Sequence, residues 1–279
     1  MQKKILAIND ISCVGRCSLT VALPILSAAG FETAILPTAI LSTHTGGFDG
    51  YTFCDFTEQI MPIAEHWKSL GLKFDAIYTG YLGSKEQLGL VSEIIDMFRG
   101  DNTIVYTDPV MGDNGKLYTG FDGDFPAGML ELCKKADLIV PNITEAAFMT
   151  KNEYISEGYD KAYVEKLISD LAKTGIPNVV VSGVSFEKGK VGAAVYRRST
   201  GETEYAFTDR IDAYYHGTGD VFASALLAAA AGGIELTQAA RKAMEFTYNS
   251  ILRTHKAGDE ERYGVRFEEE LADFAKGLK

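Results

Sequence analysis

His216-Gly217-Thr218-Gly219-Asp220 packs two glycines, a hydroxyl and a carboxylate into five residues, just before an Ala-rich run. Glycines let backbone N–H groups converge on an anion. A helix opening there adds partial positive charge and free N–H donors. The pattern suits a phosphoryl group, with Asp220 beside it in the first helical turn. It equally suits a tight turn in which Asp220 is a favourable first-turn acid. It is not a dinucleotide fingerprint, whose last glycine would fall on Phe222. Gly189-Lys190 fails as a P-loop, because Val191 follows it and Val184 holds the leading glycine position.

Three further motifs carry polar groups at fixed spacing. In Asp108-Pro109-Val110-Met111-Gly112-Asp113-Asn114-Gly115, Pro109 and Gly112 fix a turn that lets Asp108 and Asp113 converge. Two hard oxygen ligands suit magnesium bridged to phosphates. The same residues also read as a solvated Asp-Asn-Gly turn. Pro141-Asn142-Ile143-Thr144-Glu145 reads first as a capping box, with Asn142 as N-cap and Glu145 at the third helical position. Ser42-Thr43-His44-Thr45-Gly46-Gly47 is a polar, glycine-rich loop, able to close over a small polar ligand or to serve as plain surface. For His44 the expectation is structural hydrogen bonding rather than proton transfer.

These motifs need a frame that gathers them. Short apolar runs at Lys4–Asn9, Thr33–Leu36, Asp75–Tyr78, Thr103–Thr107, Asp137–Val140 and Asn178–Ser182 alternate with helical segments, as buried parallel strands do. Ser84 and Gln87 predict a capping box at the start of a helix over 84–98. Gly192–Tyr196 and Glu204–Phe207 flank a polar turn, a hairpin signal, and the chain then reads helical from Thr218. The expected architecture is α/β: a mostly parallel sheet covered by helices, with antiparallel strands at one edge, in one domain over 1–279. Ligands of such sheets sit beyond the carboxyl ends of the strands. Asn9-Asp10, Thr38–Thr45, Gly80-Tyr81, Asp108, Pro141-Asn142 and Ser182-Gly183 all fall there.

The chain has 279 residues, 46% hydrophobic and 23% charged, an ordinary globular balance. Its net charge of −11 argues against non-specific nucleic-acid binding, which uses a basic patch. The longest apolar stretch, Val221 to Ile234, is Ala-rich and broken by Ser224, Gly232 and Gly233, whereas a membrane span needs ~20 apolar residues. Cys13, Cys17, Cys54 and Cys133 complete no zinc pattern and read as small buried thiols in a reducing compartment. The reading is a cytoplasmic protein without nucleic-acid or membrane partners.

In this order the four motifs resemble the ribokinase-like superfamily of small-molecule kinases. Within it the chain is similar to the pyridoxal/pyridoxamine kinases. Ser42–Gly46, Thr79-Gly80-Tyr81-Leu82-Gly83-Ser84 and Asp108–Asp113 are specific to that branch, whereas Gly217–Asp220 is shared across the superfamily. The resemblance runs from the first strand to the helix after Asp220. It implies a Rossmann-like three-layer α/β/α sandwich of ribokinase-like type. It implies Asp220 as catalytic base and Gly217, Thr218 and Gly219 as the anion hole. It turns Asp108, Asp113, Asn142 and Glu145 toward Mg–ATP, with Asp113 and Glu145 on the metal side. It brings Tyr118 and Ser182 near the nucleotide phosphates, and Thr45 and Tyr81 to the pyridine substrate. It further implies ATP as co-substrate, potassium as a second cation and a homodimer. One departure stands out: where many of these kinases place a serine after the first strand, this chain has Asp10, with Ser12 two residues on. An aspartate there is able to pair with a cationic ring nitrogen or a 4′-amine.

The reaction so implied moves the γ-phosphoryl of ATP to the 5′-hydroxymethyl oxygen of a B6 vitamer. Four acids around an anionic nucleotide make a metal necessary, since each like-charge contact at ~4 Å costs about 4 kcal/mol at an effective dielectric of ~20. The alternative kinase acts on the hydroxymethylpyrimidine of thiamine synthesis; its usual Gly-Ser-Asp then Ser-Gly-Gly opening is absent here. A third reading is a non-enzymatic vitamer or nucleotide carrier on the same fold, which would need no carboxylate at position 220.

Overall fold

Ile5, Leu6, Ala7 and Ile8 are all buried, and they alternate between two cores. Ile5 and Ala7 pack into one apolar cluster, Leu6 and Ile8 into the other. A strand buried on both faces needs a helical layer on each side. The computed structural model, which describes residues 2–278, supplies both. This strand is β1, Lys4–Ser12. One layer is built from α1 (Leu19–Ala28), α7 (Thr218–Ala231), α8 (Leu236–Ala257) and α9 (Leu271–Gly277). The other is built from α2 (Thr57–Ser69), α3 (Lys85–Phe98), α4 (Phe125–Cys133), α5 (Ile143–Met149) and α6 (Lys161–Lys173). The fold is the three-layer α/β/α sandwich of ribokinase-like type.

The remaining strands are β2 (Glu32–Leu41), β3 (Phe53–Asp55), β4 (Ala76–Thr79), β5 (Ile104–Thr107), β6 (Gly112–Asp113), β7 (Lys116–Leu117), β8 (Leu138–Ile139), β9 (Asn178–Val184), β10 (Lys190–Arg197) and β11 (Glu202–Asp209). Nine of them form one sheet in the order β11-β10-β9-β8-β5-β4-β1-β2-β3. Strands β9 through β2 are parallel. The expected hairpin is β10–β11. Antiparallel pairing is not confined to that edge, however: the short β3 pairs antiparallel with β2 at the other. With three residues, all exposed, β3 has no apolar signal to announce it.

The order places a switch point beside β1. From β1 the chain steps outward to β2, then crosses back to β4 on the other side of β1. The carboxyl ends of β1 and β4 therefore diverge in connectivity while lying side by side, which opens a crevice there. At the same place the β1–β2 register shifts between Asn9 and Ile11. Such irregularities re-aim side chains and recur beside active sites.

Two local readings change. Ser84 does cap α3, accepting from Gln87 N–H at 3.1 Å. Gln87 does not close the box onto Ser84; its Oε1 accepts from Gly83 N–H at 2.7 Å, and its amide nitrogen donates to Thr38 O and Thr57 Oγ1. A glutamine 1 % exposed finds these stronger buried partners. Of the cysteines only Cys133 is fully buried; Cys13 follows β1 and Cys54 lies on the exposed edge strand β3, and both are exposed. Among the described residues no helix is long and apolar enough to cross a membrane.

Candidate active site

The crevice is tied together by one amide. Asn9, at the end of β1, accepts with Oδ1 from Tyr81 N–H at 2.8 Å and from Asp10 N–H at 2.9 Å. Thr38 Oγ1 donates to Tyr81 O at 3.1 Å, and Gln87 holds Thr38 from below. Ends of β1, β2 and β4 thus fix the Tyr81 backbone. The Tyr81 ring lies 5.6 Å from Phe121, itself stacked on Phe125 at 3.9 Å. Burial and the neighbouring Asp10 push the Tyr81 hydroxyl up to about 12, so it remains protonated. Asp10 is buried next to it and accepts from Ser12 Oγ at 3.2 Å. Desolvation pushes Asp10 up to about 6.

Asp220 comes to the same crevice from α7. The helix begins at Gly217, whose φ of 74° is left-handed, and the first helical bond is Val221 N–H to Gly217 O at 3.0 Å. No side chain caps this end. The N–H groups of Thr218, Gly219 and Asp220 precede that bond and have no acceptor within the helix. The glycine is obligatory: a Cβ on Gly217 would stand 1.9 Å from Arg16 O. Asp220 Oδ2 accepts from the Cys17 thiol at 3.2 Å. Burial raises the Asp220 pKa, against the lowering effects of the Ser18 backbone N–H, the Cys17 thiol and the Asn9 amide. Ser18 has a φ of 55°, an uncommon conformation for a non-glycine, which fits a strained backbone held at a functional site.

Asp108 follows β5 and is buried, its N–H bonded to Thr79 O at 2.9 Å. Its acidic neighbours are Glu145 and Asp220, and desolvation together with those charges raises its pKa strongly. Asp113 also neighbours Glu145, whose pKa its charge raises. The Asn114-Gly115 pair, with φ of 50° and 72°, makes a two-residue hairpin between β6 and β7. Asp113 is held there by Asn114 N–H at 2.8 Å and Tyr214 OH at 3.5 Å. The capping box at α5 is real: Asn142 Oδ1 accepts from Glu145 N–H, and Glu145 Oε2 from Asn142 N–H, each at 2.9 Å. Glu145 Oε1 also accepts from Met111 N–H at 3.1 Å, and Asn142 Nδ2 donates to Gly112 O at 2.8 Å. Glu145 therefore pins the Asp108–Asp113 turn to α5, and burial pushes its pKa up to about 8. Tyr118 is 42 % exposed with its N–H on Met111 O, and burial raises its hydroxyl pKa, while Ser182 on β9 bridges to Asn142.

Asp10, Asp108, Asp113, Glu145 and Asp220 form no ion pair with Lys or Arg among the described residues; the nearby Arg16 and Arg262 are taken by Glu268 and Glu260. Nor do three or more His, Cys, Asp or Glu side chains gather into a ready metal cage there. Buried and half-buried carboxylates without a counter-ion, and without a closed cage, fit magnesium. That ion keeps several waters and uses one or two carboxylates plus substrate phosphates.

Thr45 lies exposed on a loop clamped at its base, Ser42 N–H on Thr52 O and Thr52 N–H on Ser42 Oγ. Buried His44 spans it: Nδ1 accepts from Gly46 N–H at 3.1 Å, and Nε2 donates to Arg262 O at 2.6 Å. Both ring nitrogens are occupied and burial lowers its pKa, so His44 is a strut, as expected. Ser18 is a contributor that the sequence did not announce, and Cys17 and Gln87 were read there only as a plain thiol and a helix cap. Asn9 was visible only as a strand-end residue.

The family model described as phosphomethylpyrimidine kinase matches residues 26–264. A Bacteroides thetaiotaomicron protein, provisionally described as a phosphomethylpyrimidine kinase and crystallised with pyridoxal, is 37% identical with a TM-score of 0.92, over 98% of this chain and 96% of that one. Pyridoxal kinase from Lactobacillus plantarum is 29% identical with a TM-score of 0.91, over 99% and 98%. Pyridoxal kinase of Dictyostelium discoideum is 26% identical over 92% of this chain and 88% of its own length. With the uncapped N–H groups of α7, the acid behind them and the switch-point crevice in one place, the chain belongs to the phosphomethylpyrimidine kinase family, alongside the pyridoxal kinases.

Proposed function

We propose that this chain is an ATP-dependent kinase that phosphorylates the 5′-hydroxymethyl group of pyridoxal, pyridoxamine and pyridoxine. The observation that carries the reading is Asp220, a carboxylate with a raised pKa in the first turn of α7, behind an uncapped N–H nest and facing the same crevice as Asp10 and Tyr81. A carrier would have no use for that acid. The relative crystallised with pyridoxal and the pyridoxal kinases of similar length support the substrate class.

Phosphoryl transfer is loose, so positioning and charge stabilisation dominate. Asp220 orients the 5′-hydroxyl and accepts its proton late. Its raised pKa makes it a better acceptor than an ordinary aspartate. Gly217, Thr218 and Gly219 direct N–H groups at the moving phosphoryl oxygens. Tyr81 and Thr45 border the ring, with Asp10 and Ser12 beneath it. Asp108, Asn142, Ser182 and Tyr118 line the nucleotide side. Asp113 and Glu145, with Asp108, would hold Mg²⁺, directly or through water. When bound, Mg²⁺ neutralises the phosphates against these acids. We further propose one domain working as a cytoplasmic homodimer, with potassium as a second cation and neither nucleic acid nor membrane as partner.

The test is ATP-dependent 5′-phosphate formation on pyridoxal, pyridoxamine, pyridoxine and hydroxymethylpyrimidine. Turnover of the vitamers and its loss on chelating Mg²⁺ are expected; turnover that survives complete chelation rejects the metal. Replacing K⁺ by Na⁺ and light scattering test the second cation and the dimer. The family model's description favours one second reading, hydroxymethylpyrimidine phosphorylation, and exclusive turnover of that compound would establish it.

A further inference from the structure

Asp10 is a carboxylate 5 % exposed, at the point where β1 leaves register with β2. A charge so deep needs a cation or strong donors. Within the chain it has only the Ser12 and Ser18 hydroxyls and its own backbone N–H. The titratable groups facing it are Asp220 from α7, Tyr81 after β4 and Cys17 before α1, none of which is cationic. Beside it the Asn9 amide is turned toward Asp220, a second acid whose charge raises Asp10 further. A pair of neighbouring acids lacking a cation is not a finished core, where such charges are matched. It is the floor of a site for a polar ligand, and at Asp10 that ligand must bring positive charge.

We propose that Asp10 is a specificity residue that reads a cationic nitrogen on the substrate, so that the site selects protonated heteroaromatic alcohols over their neutral forms. The proposal rests on the B6-kinase reading above. All three vitamers carry a ring nitrogen that protonates, and pyridoxamine adds a 4′-ammonium. Either nitrogen supplies the charge, and the experiment separates them.

Wild type, Asp10→Asn and Asp10→Ser are compared by kcat/KM on the three vitamers from pH 6 to 9. Calorimetric binding of each vitamer and thermal melting run alongside. Losing a charge-assisted hydrogen bond predicts a drop of about 10- to 100-fold, carried mainly by KM and matched in binding. A drop confined to pyridoxamine identifies the 4′-ammonium. A drop common to all three, with loss of the wild-type decline at alkaline pH, identifies the pyridinium. The proposal is overturned if every vitamer changes less than threefold in variants that melt normally. It is also overturned if all fall in kcat alone with the pH profile unchanged. If wild type turns over only hydroxymethylpyrimidine, the B6 reading fails by itself. The same variants and thresholds on that compound, whose ring also protonates, then decide Asp10.

Discussion

Asp10 and Asp108 stand at strand ends, and Glu145 and Asp220 in the first turns of α5 and α7 beside them, whereas Asp122, Asp170 and Asp259 stand on the flanks of the molecule. Residue types are nearly the same, yet their acidities move in opposite directions. Burial raises every one of the first set. Lys85 lowers Asp122, Lys173 and Lys166 lower Asp170, and Arg266 lowers Asp259. Flank acids come with their counter-ions supplied by the chain. Strand-end acids leave that task to something the chain binds. Acids held in the less comfortable of these environments mark a functional site, because nothing in the stability of the free protein calls for them.

The comparison breaks most sharply at Asp220. Asp220→Asn is expected to lower kcat by about 10²–10⁴-fold while leaving the melting temperature equal or higher. A near-normal kcat in the folded variant would remove Asp220 from the strand-end set as a base. Next in size is the nest. Gly217→Ala forces a Cβ onto the Arg16 carbonyl and strains a φ of 74°, so the loop must shift. A misplaced anion-hole donor costs on the order of 10²-fold in kcat. Gly233, with φ 97° and open space around it, isolates the strain: its alanine variant is expected to cost about 1–2 kcal/mol of stability and leave kcat unchanged. Equal kcat losses in the two variants would mean that the glycines matter only for folding.

Much of this was legible in the sequence. Gly217–Asp220 has a local signature, and α7 begins at Thr218, where the composition changes. The parallel strands were visible as doubly apolar runs such as Ile5–Ile8. Asn142 and Glu145 were readable as a cap because a capping box is a contact within four residues. What stayed hidden depends on distance in the chain. Cys17 meets Asp220 across 203 residues, and Gln87 meets Thr38 across 49. β3 and the β6–β7 ribbon are too short for periodicity to register. The contact of Asp113 with Tyr214 spans 101 residues and was equally invisible.

Acidity turns the same comparison into a stability experiment. Folding raises Asp10 from 3.8 to about 6, so between those values the native state holds more protons than the unfolded chain. The contribution of Asp10 is then fully present below about pH 4 and is lost as pH rises through 6. At ~1.4 kcal/mol per pH unit the loss by pH 8 is about 3 kcal/mol. Asp10→Asn is therefore expected to raise the melting temperature of the ligand-free protein at pH 8 and to flatten its fall between pH 5 and 8. An unchanged melting curve would show that Asp10 is already compensated in the free protein.

The smallest effect belongs to the flank, and its sign is reversed. Asp170 sits on α6 between Lys166 and Lys173 and also takes a hydrogen bond from Asn152 at 3.1 Å. Its lowered pKa means the unfolded chain binds its proton more readily. The stabilisation is present above the ordinary 3.8 and disappears as pH falls through the folded value. Surface pairs of this kind are screened and worth up to about 1 kcal/mol. Asp170→Asn is expected to lower stability slightly at pH 7, to lose that difference in acid or high salt, and to leave kcat/KM untouched. Denaturant titrations at pH 7 and pH 3 read both limbs. Stabilisation by this substitution at pH 7 would place Asp170 with the strand-end acids and remove the electrostatic ground for separating the two sets.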